Sequence, residues 1–220
     1  RGFGNSWIMD PHRDLGIVNE YAQLETIQDV LKPAVLDKLQ ARLPRSDVLI
    51  VRHLLEHSHH PRDMLEALKG LVSPGGYIVF EVPDSRKIME TLDYAFLWEE
   101  HAVYFTKASL KRFIIRNGLR IVDFYEYTYP FENSLVAITQ VARKDTLAPL
   151  QDSTDKEEKL ARRFADCFPA VKNRTCDFLQ DAKASGASIA ILGAGHLAST
   201  FINLMRVRDI IDLVVDDAPQ

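Results

Sequence analysis

The sequence predicts an α/β protein with two strand–helix–strand units in succession. In residues 47–83, two short apolar runs flank a stretch whose apolar residues recur every three or four positions. Continuous apolar runs bounded by turn signals are typical of buried strands of a parallel sheet. Two parallel strands joined through a helix require a right-handed crossover. A second pattern of the same kind covers residues 188–215.

Composition narrows the class of protein. The chain has 220 residues, of which 46% are hydrophobic and 26% charged, with a net charge of -4. Mild acidity argues against nucleic acid as the main partner, because a phosphate-binding face needs a basic excess. The sequence contains neither an apolar run of about 18 residues, as a membrane span needs, nor an apolar signal core. We therefore expect a cytoplasmic protein without a membrane partner, and reduced, idle thiols at Cys167 and Cys176.

The N-terminal part begins with an apolar-to-acid pattern. Residues 6–10 are predicted to form a short strand that ends on Asp10. A carboxylate at a strand end can accept hydrogen bonds from both hydroxyls of a ribose. A turn that starts at Asp10-Pro11 explains the same residues equally well. Residues 24–27 form another candidate strand, and residues 30–43 a candidate helix.

The central unit is followed by two helices and two strands. Residues 83–93 are helical in pattern, and Thr106 is a candidate N-cap for the next helix. Asn117-Gly118 is a typical helix end. Residues 119–127 and 134–141 are predicted strands, and their short connection favours an antiparallel pair at the sheet edge. Ligands of such sheets gather at the carboxyl ends of the parallel strands, here residues 52–60 and 81–85.

A polar stretch divides the chain. Residues 144–158 show little apolar periodicity, so we predict a linker between a domain at 1–143 and a smaller, incomplete domain at 159–220. The second domain starts with a long helix that Pro169 is expected to kink or split. Both ends of the chain lie close to predicted strands, and we therefore expect a piece of a longer protein.

A glycine-rich turn in the second domain indicates nucleotide binding. The sequence from Gly193 to Ala198 fits the pattern G-x-G-x-x-G/A between a strand and a helix, with Asp216 and Asp217 about 20 residues further on. Gly193 permits the tight turn, and Gly195 lets the backbone approach a phosphate at the helix N-terminus. Packing of a helix on a strand is the alternative use of the same glycines.

Two groups of histidines are candidates for chemistry. His101 follows Glu100 amid aromatic residues, and a histidine beside a carboxylate can take a proton from a substrate. The second group comprises His53, His57 and their neighbours at positions 59 and 60. His53 and His57 are four residues apart with Glu56 between them, but a third ligand is not evident and the pattern is not H-E-x-x-H. We therefore predict no metal site.

Several of these motifs together resemble a known family. Arg52-His-Leu-Leu-Glu-His57, Ser73-Pro-Gly-Gly76, Glu81-Val-Pro83 and the segment Glu99-Glu-His101 with Tyr104-Phe105 resemble class I S-adenosylmethionine-dependent methyltransferases. The closer resemblance is to sugar C-methyltransferases of deoxysugar pathways, and it covers most of the chain from position 7 onward. It implies a Rossmann-like methyltransferase sheet with an antiparallel edge, followed by a smaller Rossmann-like domain.

The resemblance also implies a cofactor site. In this family a glycine-rich loop after the first strand holds the methionine part of S-adenosylmethionine. We expect that loop, and a zinc-binding N-terminal module, to precede this chain. Asp10 matches the acid that binds the cofactor ribose, while Arg52 and His53 match positions that flank the cofactor.

The implied catalytic and substrate residues lie further along the chain. His57 matches an active-site histidine. Glu100 and His101 match a glutamate–histidine pair whose histidine removes a proton next to a ketone. The implied substrate-binding positions comprise Trp98, Tyr104 and Asn133 in the first domain and Gly193, Gly195, His196 and Asp216 in the second. Trp98 replaces a tyrosine of the subgroup, and Phe131-Glu-Asn133 replaces a histidine-glycine-glycine turn.

The sequence thus predicts methyl transfer from S-adenosylmethionine to a carbohydrate-type small molecule, possibly a nucleotide-linked sugar, with His101 as general base. Methylation of carbon or of oxygen stays open at this point, as does the oligomeric state. One alternative is an NAD(P)-dependent oxidoreductase that uses the Gly193–Ala198 fingerprint. Another is a nucleotide- or sugar-binding protein of the same fold without catalytic activity.

Overall fold

A computed structural model describes residues 6, 8–18, 30–130, 132–142 and 154–216. Its contacts divide the chain into two compact units. The first contains Arg1–Asp84 and Glu100–Gln151, and the second contains Ser85–Glu99 and Asp152–Gln220. The predicted strand at residues 24–27 lies outside the described residues, as do positions 7, 131 and 217.

Among the described residues, the first unit contains four helices and a four-stranded sheet. The helices are α1 (Pro11–Leu15), α2 (Leu36–Gln40), α3 (Pro61–Gly70) and a helix at Lys107–Arg116, which follows the segment Ser85–Glu99 of the second unit. The strands are β1 (Ser46–Arg52), β2 (Val72–Asp84), β3 (Leu119–Tyr127) and β4 (Asn133–Val141). The helical pattern at residues 30–43 shortens to α2 and a preceding 3-10 turn at Pro33–Val35.

The second unit contains α4 (Arg86–Thr91). Because helices are numbered in chain order, the Lys107–Arg116 helix of the first unit is α5. The second unit continues with α6 (Asp155–Ala184), β5 (Ala190–Leu192), α7 (His196–Met205) and β6 (Leu213–Val215). Strands β5 and β6 pair in parallel. The predicted strand–helix–strand order is confirmed. Helix α6 runs through Pro169 as one continuous element, so Pro169 does not split it, and a kink there stays a prediction.

The sheet of the first unit has the order β1-β2-β4-β3. Strands β1 and β2 are parallel, and β4 pairs antiparallel with both β2 and β3. Helix α3 connects β1 to β2 and buries Met64, Leu65 and Leu68 against the sheet. This arrangement confirms an α/β fold with a parallel crossover and an antiparallel edge.

Strand β1 is less buried than its apolar sequence predicts. Val51 is 4% exposed, whereas Ile50 is 63% exposed and Val48 is 43% exposed. Strand β1 lies at the edge of the described sheet, and successive side chains of a strand point to opposite faces. Helix α3 and the core cover one face, so the expectation of burial on both faces is wrong within the described residues.

The glycine pair near the start of β2 allows β1 and β2 to pair. Strand β2 passes through Gly75 and Gly76, with a shift of register between Ser46 and Val48 on the opposite strand. A Cβ atom at Gly76 would lie 2.8 Å from the backbone oxygen of Asp47. Only glycine allows the two backbones to approach so closely.

Helix α5 begins at the predicted cap. The hydroxyl of Thr106 accepts a hydrogen bond from the backbone N–H of Ser109 at 3.2 Å, and the Thr106 backbone N–H donates to the Ser109 hydroxyl at 2.8 Å. This reciprocal capping box satisfies donors that a helix start otherwise leaves unpaired. Gly118 ends the helix with a φ of 79°. Leu110 and Ile114 then face the core of the first unit.

The second unit includes the segment Ser85–Glu99, which the sequence analysis assigned to the first domain. Tyr94 is 3% exposed, its ring stacks on that of Phe164 at 4.4 Å, and its hydroxyl donates to the Phe164 backbone oxygen at 2.6 Å. Residues Ser85–Glu99 therefore group with α6 and α7, although they precede the polar stretch by some fifty positions. Among the described residues, no helix combines the length and apolar character that crossing a membrane requires.

A substitution at Leu65 tests the core of the first unit. Leu65 is fully buried, so Leu65→Ala leaves a cavity and is expected to lower the free energy of unfolding by about 2–5 kcal/mol. Ile50→Ala, at a side chain 63% exposed, serves as the control and should cost about 1 kcal/mol or less. Urea unfolding of the three proteins compares them. Equal losses in both variants would contradict the arrangement of α3 on the sheet.

Candidate active site

Polar residues gather where β1 and β2 end. The parallel register places Arg52 opposite Glu81, and the backbone N–H of His53 donates to the Glu81 backbone oxygen at 2.9 Å. His53 has a φ of 47°, a left-handed conformation that costs energy for a residue with a side chain. The chain turns sharply there and enters a 3-10 turn at Leu55–His57.

An ion-pair network joins these strand ends. The Arg52 guanidinium donates to both carboxylate oxygens of Glu81, with Nε–Oε2 at 2.5 Å and Nη2–Oε1 at 3.1 Å. His53 lies between two carboxylates, with Nε2 3.5 Å from Glu81 Oε1 and Nδ1 3.4 Å from Glu56 Oε1. Arg52 lowers the pKa of Glu81, and the Glu56 carboxylate raises the pKa of His53. Burial raises the pKa of the nearby Glu132.

The 3-10 turn buries a carboxylate and an imidazole side by side. Glu56 is 1% exposed and His57 is 7% exposed. The His101 ring meets the His57 ring edge to face, with 4.7 Å between ring centroids. Glu56, His57 and His101 each place one side-chain oxygen or nitrogen within 4.8 Å of the other two. These three residues form the candidate active site, and they are also the described residues whose arrangement could hold a metal ion.

The loop that carries His101 is tied to the turn that carries Glu56. The backbone N–H of Val103 donates to the backbone oxygen of Glu56 at 2.9 Å. Tyr104 packs near His101 with ring centroids 5.7 Å apart. The structure thus brings His57, His101 and Tyr104 together, and the roles that the resemblance implies for them stay predictions.

The carboxylate beside the two imidazoles is not the predicted one. Glu100 is exposed, whereas Glu56 is buried within reach of both histidines. Sequence reasoning noted Glu56 only as a neighbour in an unconvincing metal pattern. Its signal was its place inside an apolar segment, between Leu55 and His57, where an acid is rarely buried without a partner.

Asp10 does not end a strand. Residues 6 and 8–10 have no strand structure, and Asp10 is exposed. Its Oδ1 accepts from the backbone N–H of Arg13 at 2.8 Å, at the start of α1. A short acceptor side chain competes for backbone donors in this way and favours a helix start. The strand prediction is wrong for these residues, because helix α1 starts directly after Asp10; the ribose role of Asp10 stays a prediction.

Asn133 and Trp98 each have contacts of their own. Asn133 begins β4 opposite Asp84, and its Oδ1 lies 3.4 Å from the backbone nitrogen of Tyr129, which donates. Trp98 belongs to the second unit, where its ring stacks on His196 with centroids 3.7 Å apart and planes 5° from parallel. A substrate-binding role for either residue stays a prediction.

The glycine fingerprint has the expected local structure. Gly193 has a φ of 95°, and its N–H donates to the Val215 backbone oxygen at 2.6 Å. A Cβ atom at Gly193 or Gly195 would meet no described atom within 4 Å, so space is open above the turn. The carboxylate of Asp216 accepts from the backbone N–H of Ala194. Asp216 therefore braces the turn in this structure.

His196 opens α7 and is held on several sides. Its Nδ1 lies 3.6 Å from Glu99 Oε2, and its Nε2 lies 3.0 Å from the Thr200 hydroxyl and 3.4 Å from the Leu97 backbone oxygen. The Trp98 ring covers one face of the imidazole. These contacts attach the fingerprint turn to the segment at positions 97–99 within the second unit.

Comparison with known proteins identifies the family. Residues 2–123 match the family of methyltransferase domains, and residues 140–220 match the family of C-methyltransferase C-terminal domains. The first match covers more than half of the chain. The chain belongs to the methyltransferase domain family. The assignment to class I S-adenosylmethionine-dependent methyltransferases is confirmed, together with its resemblance to the C-methyltransferase subgroup.

One curated relative is C-methyltransferase NovU from Streptomyces niveus, which is 25% identical over 202 residues. The match covers 88% of this chain and 48% of the relative, so the chain spans about half the length of the curated relative. A solved methyltransferase from Clostridium acetobutylicum is 9% identical with a TM-score of 0.37, covering 51% of this chain and 73% of its own. Magnesium protoporphyrin IX methyltransferase from Synechocystis is 16% identical with a TM-score of 0.35, covering 47% and 48%.

The strand ends bear on the cofactor of this family, S-adenosylmethionine. The side chains of Arg52 and His53 are 62% and 44% exposed beside β1, so both can contact a polar ligand there. Their place beside the cofactor stays a prediction.

Asp14, in helix α1, is expected to make the stability of the fold depend on pH. Asp14 is 1% exposed, and hydrogen bonds from Arg13 lower its pKa to about 2. An unfolded aspartate has a pKa of about 3.9. A group with a depressed folded-state pKa stabilises the fold above the unfolded value, and the stabilisation is lost as the pH falls through the folded value.

The variant Asp14→Asn should therefore be less stable than the parent at pH 6, and the difference should shrink as the pH falls below about 4. Urea unfolding at several pH values measures it. Asp37→Asn, at an exposed carboxylate of α2, is the control and should show a smaller change with pH. A difference between parent and Asp14→Asn that stays constant from pH 6 to pH 3 would contradict the pairing with Arg13.

Proposed function

We propose that the protein transfers a methyl group from S-adenosylmethionine to a carbon atom of a sugar-type small molecule, with His101 as general base. The observation that carries this proposal is the packing of His101 against His57 and the buried Glu56, beside the carboxyl ends of β1 and β2. The family of residues 140–220 and the relative NovU support carbon as the acceptor. The resemblance to sugar C-methyltransferases supports a sugar, possibly linked to a nucleotide.

Carbon methylation explains why a base is needed. A carbon next to a ketone becomes nucleophilic only when its proton is removed and the electron pair is shared with the carbonyl oxygen. Neutral histidine accepts protons near pH 7 and can take this one. S-adenosylmethionine supplies an electrophilic methyl group when bound. The proton would move to a nitrogen of His101. The carbon nucleophile would bond to the methyl group as the bond between that methyl and the sulfonium sulfur breaks, so that S-adenosylhomocysteine is the leaving group.

The cluster around His101 suits the charge that proton transfer creates. A positive imidazolium forms at His101, and the Glu56 carboxylate lies within 4.8 Å of the reacting ring. An opposite charge at this distance favours the charged form of a histidine, more so where water is excluded. The ring of His57 and the Val103 backbone hydrogen bond restrict the position of His101. Glu56, rather than the exposed Glu100, supplies the negative charge in this proposal.

The second unit is proposed to bind a nucleotide-linked part of the substrate. Open space above Gly193 and Gly195, at the start of α7, supports this role, because backbone N–H groups at a helix start favour an anionic group. The fingerprint also fits an oxidoreductase, but the matched families contain methyltransferases.

Ligand binding separates these two functions. We expect isothermal titration of the full-length protein to show heat release with S-adenosylhomocysteine, and none with NADH. The reason is that the residues flanking the cofactor belong to a methyltransferase domain. Binding of NADH without binding of S-adenosylhomocysteine would overturn the methyltransferase proposal.

Replacement of His101 tests the base. His101→Gln should lower kcat for methyl transfer to a keto sugar by about 10²–10⁴-fold, because general-base catalysis contributes that much. Binding of S-adenosylhomocysteine should persist. His59→Gln makes the same change at an exposed neighbouring position and is the matched control. Exchange of the substrate C–H proton with deuterated water, followed by NMR, should also disappear in His101→Gln; exchange at the parent rate would remove His101 from the mechanism.

A further inference from the structure

Several buried polar atoms of the histidine cluster lack hydrogen-bond partners. Among the described residues, neither carboxylate oxygen of Glu56 accepts a hydrogen bond, and Nδ1 of His57 is also without one. Glu56 is 1% exposed and His57 is 7% exposed, so bulk water does not replace these partners. An unpaired buried carboxylate is costly, and a buried charge normally pairs with a cation or binds a metal.

The cation nearest to Glu56 satisfies it only in part. His53 Nδ1 lies 3.4 Å from Glu56 Oε1, an ion-pair distance without a hydrogen bond. His53 is also shared with Glu81, at 3.5 Å. Its side chain is 44% exposed, so water competes for it. The other carboxylate oxygen of Glu56, Oε2, has no hydrogen-bond partner among the described residues.

The three side chains already converge. One ligand atom from each of Glu56, His57 and His101 lies within 4.8 Å of the others. In a tetrahedral zinc site the ligand atoms stand about 2.0–2.2 Å from the metal, so small rotations would close this set around an ion. The hydrogen bond from Val103 to Glu56 holds the two supporting segments together before a metal binds.

The donor set selects the class of ion. Two imidazoles and one carboxylate are the ligands of catalytic zinc sites with an open fourth position, whereas calcium and magnesium prefer oxygen ligands alone. We propose that Glu56, His57 and His101 form a binding site for a divalent transition-metal ion of the Zn²⁺ and Co²⁺ class. The sequence pattern did not indicate this site, because its third ligand, His101, lies 44 positions after His57 on a different loop.

Metal binding and proton transfer exclude one another at His101. A neutral imidazole has one nitrogen with a free lone pair, which either binds a metal ion or accepts a proton, so the metal-loaded protein has no base. This consequence rests on the proposed function, whereas the metal site itself does not. The site would then make methyl transfer sensitive to inhibition by Zn²⁺ and reversible by a chelator.

Cobalt titration tests the site without measuring activity. The protein, purified without a histidine tag and stripped with a chelator, is titrated with Co²⁺ while visible d–d absorption is recorded. Glu56→Gln and His57→Gln are compared with the parent, and His59→Gln, at an exposed position, is the matched control. The difference in bound Co²⁺ between the parent and these variants reports this site alone, even if the full-length chain binds other metal ions elsewhere.

The parent and His59→Gln should bind one more equivalent of Co²⁺ than Glu56→Gln or His57→Gln. Affinity at this site should fall by about 100-fold or more in those two variants, since loss of outer-shell partners alone costs about 10–100-fold. Circular dichroism checks folding, and two ligand variants guard against misfolding of one. The proposal is overturned if the stripped parent takes up no Co²⁺, or if folded Glu56→Gln and His57→Gln bind as the parent does.

Zinc inhibition separates this proposal from the proposed function. Metal binding that leaves methyl transfer unaffected would confirm the site and remove His101 as the base. Absence of metal binding in a protein whose methyl transfer depends on His101 would overturn the site and leave the proposed function standing.

Discussion

The parallel pairing of β1 with β2 is the constraint on which the candidate active site depends. It sets Arg52 opposite Glu81 and lets His53 hydrogen-bond to the Glu81 backbone. Gly76 makes the pairing possible, because a side chain there would collide with the backbone at Asp47. Parallel strands end at the same edge of a sheet. The pairing of β1 with β2 therefore determines the position of the turn that follows β1.

The turn after β1 buries the carboxylate of Glu56. A left-handed His53 redirects the chain, and the following 3-10 turn carries Glu56 and His57 into the interior. A buried carboxylate beside two imidazoles is expensive for folding and is typical of sites that handle protons or metals. The proposed proton transfer by His101 and the proposed binding of a metal ion are two uses of one arrangement, and both depend on the same buried acid.

The segment at Ser85–Glu99 shows how local pattern and spatial grouping diverge. Its helical pattern was visible, and α4 forms within it. Its grouping with α6 depends on Tyr94, whose ring finds Phe164 seventy positions later. No periodicity within the segment could indicate that partner. The cap at Thr106 and the fingerprint turn at Gly193, by contrast, were predictable because their bonding partners lie within a few residues or on the adjacent strand.

The sequence by itself predicted the α/β class, the order of helices and strands from β1 onward and the methyltransferase family, and it offered roles for His57 and His101. It could do so because periodicity, caps and glycine turns are local and because motif order is readable along the chain. Only the tertiary structure decided that Glu56 accompanies the two histidines, while Glu100 faces solvent and Asp10 caps a helix. Burial and convergence are properties of three-dimensional packing, and residues 44 positions apart meet only when the fold closes.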